Sequence, residues 1–335
     1  MFSRSLRLLI LLAISGTAFS SGTWQNLTSI PSGPRQEECV ASIGDTVYVV
    51  GGVTSPPPND TFPPTIALVE AFNTTDNTWR RLADLPITIN HCNIASLNGK
   101  LYVLGGLVGQ GGVWVRTGRA FEYCPQSDAW TELPSLPEGA ERGSSAVGVW
   151  GDQVFLAGGM RTLNIPAGEQ DTVATGLVYD TRAKEWTAFV DLPEGRDHVG
   201  GVVIGGTFYV VGGRFRGQNN VRGTVFTMNL TAEEKVWAEK SIMPTPRGGL
   251  AAAATDGKIY TFGGEGDPLL IGPAGVYNNT EVYDTETDSW EVLPPMDIPR
   301  HGTAATAVGG KLYIPGGGLM RGGAAPVAIM DVFIP

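Results

Sequence analysis

Six times along the chain a short apolar run ends in a pair of glycines. The pairs begin at Gly51, Gly105, Gly158, Gly212, Gly263 and Gly316, a period in the low fifties. The runs at 47–50, 101–104, 154–157, 208–211, 259–262 and 312–315 are rich in β-branched and aromatic residues. Runs of that kind and length predict buried strands. Just ahead of each lies a two-residue turn: Gly44-Asp45, Asn98-Gly99, Gly151-Asp152, Gly205-Gly206, Asp256-Gly257 and Gly309-Gly310. These residues tolerate the positive φ that a two-residue hairpin demands. Each unit therefore opens with a tight antiparallel hairpin, strands a and b. A variable segment follows, then a third strand ending in an aromatic residue, then a tryptophan. Phe72, Tyr123, Tyr179 and Tyr283 stand seven residues before Trp79, Trp130, Trp186 and Trp290. One unit departs, with Leu230 in place of the aromatic before Trp237.

Paired glycines, then an aromatic, then tryptophan, at about fifty residues per unit, resembles the kelch repeat, whose units are four-stranded propeller blades. The resemblance covers residues 22–335 and implies an all-β, six-bladed kelch β-propeller with no second domain. The last unit has no tryptophan of its own. Residues 22–27 match 288–293, so the N-terminal segment is expected to supply strand d of blade six and close the ring. The repeat tryptophans are read as packing between blades.

Composition sets the surroundings. Arg4 and Arg7, the apolar run 8–14 and Ala18-Phe19-Ser20 read as a secretory signal peptide over residues 1–20. The run is too short to span a bilayer. The chain carries 23 Lys and Arg against 33 Asp and Glu. Removing the signal leaves a net charge of about −12, which disfavours nucleic acid and anionic membrane as partners. A secreted, extracellular monomer is expected, with glycan acceptors at Asn26, Asn59, Asn73, Asn229 and Asn278. Cys39 lies twelve residues before its glycine pair and Cys92 thirteen before the next. That opposite parity lets them face each other from adjacent blades, and a Cys39–Cys92 disulfide is expected.

Strand alternation puts the b–c and d–a loops on one face and the short a–b turns on the other. The b–c segments 53–67, 107–118, 160–175, 214–223, 265–279 and 318–326 are long enough to carry function. The functional face is therefore placed on their side, around the mouth of the central channel. Sixteen residues before each glycine pair stand Arg35, Ile89, Arg142, Arg196, Arg247 and Arg300. The kelch resemblance implies that such arginines hold acidic ligands at the mouth. Equally, each could pair with a nearby carboxylate and support the fold. His91, His198 and His301 fall in the same band, in alternate blades, with Glu37 in the register of His91. With the adjacent Glu38 and Asp197 they are candidates for binding a metal, for acid–base work or for lining a wet channel. Trp114 stands outside the repeat and either stacks on a ligand or packs its loop down.

No phosphate loop, His-Glu-x-x-His, Gly-x-Ser-x-Gly or Cys-x-x-Cys occurs. The copper set of galactose-oxidase-like propellers and the Glu-x-x-x-Asp-x-x-x-His iron motif of plant specifier proteins are also missing. No cofactor or metal is expected. Six-bladed kelch isomerases acting on acidic sugars share the architecture without a metal. Two functions follow. The first is a binding protein for a small molecule, carbohydrate or acidic peptide held by Arg35, Arg142, Arg196, Arg247, Arg300 and Trp114. The second is a cofactor-free isomerase or natural-product cyclase in which a histidine moves a proton. A deep closed pocket with a perturbed histidine favours the second, and a broad shallow mouth the first. Both predict that Arg247→Ala with Arg300→Ala weakens ligand capture and spares the fold.

Overall fold

A computed structural model describes residues 22–335, so the expected signal segment lies outside the described residues. Six antiparallel blades form the ring. In blade one, strands a to d are Cys39–Ile43, Thr46–Val50, Val69–Asn73 and Thr78–Arg81. Blades three, four and five repeat that order. In blade six, Thr23–Asn26 pairs with Met330–Ile334, Trp24 opposite Phe333, so the first described strand closes the ring as the repeat predicts. Among the described residues the only helix is a four-residue turn, Pro268–Ile271.

Two repeated contacts explain the residues that mark each unit. Each repeat tryptophan donates its Nε1–H to a backbone carbonyl in the chain leaving strand d of the preceding blade. The acceptors of Trp24, Trp79, Trp130, Trp186, Trp237 and Trp290 are Pro294, Thr28, Ala83, Pro134, Val190 and Ser241, at 2.7–3.2 Å. The second glycine of the pair reaches the next blade. The N–H groups of Gly52, Gly159, Gly213, Gly264 and Gly317 donate to the carbonyls of Ile89, Arg196, Arg247, Arg300 and Arg35. A Cβ on Gly263 would strike the Arg300 carbonyl, and its φ is +56°, which favours glycine for a second reason.

Two expectations change. Met228, not Leu230, sits opposite Trp237, because the turn between these strands is longer than in other blades. The segment 107–118 is not a loop. Lys100–Gln110 and Val113–Cys124 run on as one long ribbon, which pairs with Met160–Asn164 of the next unit. Trp114, Leu107, Val53, Met160 and Leu163 pack together beneath it.

Candidate functional site

The residues fourteen positions before the six glycine pairs are Glu37, His91, Ser144, His198, Gly249 and Gly302. All six adopt left-handed backbone, with φ between 50° and 62°. Each N–H meets the same position of the preceding blade. Glu37 donates to Gly302 O, His91 to Glu37 O, Ser144 to His91 O, Gly249 to His198 O and Gly302 to Gly249 O; His198 donates to the Ser144 hydroxyl at 2.9 Å. This hydrogen-bonded ring around the axis fixes the side chains of Glu37, His91 and His198 at one level of the channel.

There the three side chains meet. His91 Nε2 stands 3.0 Å from His198 Nε2 and 3.1 Å from Glu37 Oε2. Their protons follow from the surrounding donors. Thr65 Oγ1 donates to Gly109 O and accepts from Trp114 Nε1 and Asn90 Nδ2. Asn90 therefore turns its Oδ1 to His91, whose Nδ1–H donates to it at 2.6 Å. On the other side, His198 Nδ1–H donates to Asp197 Oδ1 at 2.7 Å. Its Nε2 accepts from Arg214 Nη2 at 2.9 Å. Burial and then the Arg214 charge push His198 down to about 4. Burial opposes ionisation of Glu37, yet the surrounding histidines hold it below the usual carboxylate range. Arg214 also pairs with Asp197 and Glu265, both fully buried.

The space around this cluster differs on its two sides. Toward the a–b turns it opens into a cavity of about 200 Å³. Val40, Ile94, Val147, Val199, Leu250 and Ala252 line it together with Ser144, Ser145 and Thr303, so its walls mix apolar and polar surface. Glu38 borders it with its carboxyl sealed beside Gly316, and burial pushes that carboxyl up to about 8. Toward the b–c loops the space narrows to about 20 Å³ under Trp114, Ile165, Gln218 and Gly322. Beyond this roof lies a separate crevice of about 300 Å³ between the loop tips, lined by Ile165, Gln218 and Arg321 among others. The loops therefore cover the channel mouth on the b–c side, and the larger channel space lies beneath them.

The arginines expected to grip a ligand are not in this space. Arg35, Arg142, Arg196, Arg247 and Arg300 are each at most 1% exposed. Each meets the second residue of strand c in its own blade. Arg35 pairs with Glu70, Arg247 with Glu281 at 2.6 Å and Arg300 with Asp331 at 2.8 Å. Arg196 lies over the Phe226 ring and pairs with Glu194. Arg142 has Leu177 at that place and finds only the Ala140 carbonyl and the Thr175 hydroxyl, both at 3.0 Å. Blade two, with Ile89, places Phe121 there. These residues latch strand c to the incoming chain, the supporting role that was the alternative reading.

The other candidates divide. His301, one residue off the ring register, donates from Nε2 to the carbonyls of Met320 and Gly322, 2.8 and 3.0 Å away, and ties down the blade-six loop. Trp114 is 3% exposed and packs the roof. Cys39 and Cys92 are bonded across the first two blades, with Cα atoms 5.9 Å apart, and Cys124 is free. Asn26, Asn59, Asn229 and Asn278 are exposed and Asn73 half-buried. Sequence reasoning gave no role to Ser144 or Asn90, and placed Asp197 only as a carboxylate adjacent to the histidine band. The signal for Ser144 was its place fourteen before Gly158. For Asn90 and Asp197 it was their place just before a ring histidine.

Architecture and repeat contacts define a kelch-type β-propeller, and comparison with known families agrees. Residues 146–332 match the KLHDC2/KLHL20/DRC7 Kelch-repeats domain, and 39–86 and 90–137 match the Kelch motif. The chain belongs to the kelch-repeat family. It is 38% identical over 320 residues to Kelch-like protein terF of Aspergillus terreus, spanning 94% of this chain and 68% of that one. It is 30% identical to human Kelch-like protein 34 over 69% of this chain, but spans only 35% of the human protein. The solved structure of YjhT superposes with a TM-score of 0.72 at 18% identity, covering 90% of this chain and 95% of that one, a likeness of fold.

Proposed function

We propose that the chain takes up a small molecule of mixed polarity in the central channel and holds its polar end on the Glu37–His91–His198 floor. One observation carries this reading: a cavity of mixed apolar and polar lining ends on a buried, pre-ordered polar cluster. Sites of that make-up take small molecules, with the few polar groups fixing orientation. A volume of about 200 Å³ is below the roughly 300–1,000 Å³ of sites for drug-sized ligands. The latched arginines remove the argument for a strongly acidic ligand. The proposed setting is the secretory route, supported by the exposed sequons and the Cys39–Cys92 bond. A glycosidase-sensitive mass shift of the secreted chain tests that setting, and an unmodified chain retained in the cytosol contradicts it.

Uptake is tested by a ligand-observed NMR screen of small hydroxyl and carbonyl compounds against the wild type and Ala252→Phe. Ala252 lines the cavity, so the larger side chain fills it. Hits that bind the wild type and lose binding in the variant support channel uptake; hits that bind both equally place the ligand elsewhere.

A second reading, a proton-moving isomerase or cyclase, is favoured by His198, which lines the cavity and is kept neutral by burial and the Arg214 charge. Metabolite profiling of the producing host with His198→Gln tests it. Accumulation of an isomer of the normal product is the expected result, and an unchanged profile contradicts it.

A further inference from the structure

We propose that Glu37, His91 and His198 form a binding site for one divalent first-row transition-metal ion, with its open positions facing the channel. The proposal goes beyond ligand uptake and does not depend on it. It rests on how the two imidazoles are held and on the charge around them.

The three donor atoms come from three blades, and all lie within 4.8 Å of one another. Donors bound at about 2.0–2.1 Å around one ion stand roughly 3 Å apart. His91 Nε2 lies 3.0 Å from His198 Nε2 and 3.1 Å from Glu37 Oε2. Both histidines have the far nitrogen fixed as a donor, His91 to Asn90 and His198 to Asp197. This is how ligating histidines are oriented: an outer acceptor takes the Nδ1–H and leaves the Nε2 lone pair for the metal. The outer partners are themselves held. Asn90 is turned by Thr65, and Asp197 accepts from Gln170, Thr172 and Arg214. With both Nδ1 protons fixed, each Nε2 is left to take a proton or an ion, and both stand with a Glu37 oxygen within reach of one cation.

The charge count agrees. Glu37, Asp197 and Glu265 bring three carboxylates to this level, against Arg214 as the permanently charged partner. A divalent ion makes the group neutral. On binding, the ion takes the place of the Arg214 N–H on His198 Nε2, and Arg214 keeps both carboxylates. Two imidazoles and one carboxylate suit zinc, and equally iron(II) or cobalt(II). The ring register explains why no local motif showed the site: the ligands are one per blade, more than fifty residues apart.

The test uses the whole secreted chain, stripped with chelator and titrated with cobalt(II) and with zinc. Bound metal is counted by elemental analysis, and the cobalt ligand field is read by visible absorption. One equivalent per chain with a nitrogen- and oxygen-ligand spectrum is expected. Glu37→Gln and His198→Gln should lose the equivalent, while His301→Asn keeps it. Asn90→Ala, which touches no ion, should weaken affinity by about 10- to 100-fold. A wild type that binds less than a tenth of an equivalent of either ion overturns the proposal without reference to any variant. So does full binding in both Glu37→Gln and His198→Gln.

Discussion

Two residues of chain separate the latch arginines from the channel ring, and their environments have nothing in common. Sixteen positions before the glycine pair, the side chain turns outward into its own blade. There Arg35, Arg247 and Arg300 meet carboxylates on strand c, and Ile89 meets Phe121 in the same place. Fourteen positions before, left-handed backbone turns the side chain inward, and Glu37, His91 and His198 converge. The latch accepts either an ion pair or an apolar pair, so it is a packing device in which charge is optional. The ring is not interchangeable in that way: three blades place reactive groups there, two place glycine and one serine. A repeated position shared by five blades serves the ring architecture, whereas a position that differs between blades is free to make a site.

That contrast can be broken by exchanging residues. Arg247→Met leaves Glu281 buried without its partner and should cost about 3–5 kcal/mol, read by denaturant unfolding. Arg247→Ile with Glu281→Phe copies blade two and should recover most of that loss; failure to recover would show that blade five needs the charge. Next in size, Gly263→Ala should cost roughly 1–3 kcal/mol, from its φ of +56° and the collision with the Arg300 carbonyl. Trp130→Phe loses one hydrogen bond to Ala83 and should cost about 1–2 kcal/mol, part of it from lost ring volume. The smallest effect is expected at Arg142, which faces no carboxylate. Arg142→Met should lie within about 1 kcal/mol of the wild type, because removing this buried charge strands no carboxylate, only the Ala140 carbonyl and the Thr175 hydroxyl.

Most of the fold was legible because its signals are repeated. Six glycine pairs, six hairpin turns and six tryptophans each report one blade, and the match of 22–27 to 288–293 gives the closure. Position 230 misled because spacing was counted from an average turn, and one turn is longer. The site was legible only in part. Counting back from the glycine pairs found the three histidines and Glu37 in one band. It could not tell inward from outward there, because backbone at the fourteenth position is left-handed and breaks the alternation of a strand. Hence Arg247 looked as available as His198. The roof was missed for a related reason: 107–118 reads as a loop, but its alternation continues two strands that extend over the channel mouth. Arg214 and Glu265 were seen as loop residues. Their burial beneath that roof depends on contacts between blades that no single repeat records.

The central claim is that small-molecule capture belongs to the channel and not to the arginines. Native mass spectrometry of the chain purified from its producing host tests it, comparing the wild type, Ala252→Phe and the Arg247→Ile with Glu281→Phe pair. The account predicts a retained small molecule in the wild type and in the latch exchange, and none in Ala252→Phe. Retention in Ala252→Phe together with loss in the latch exchange would contradict it.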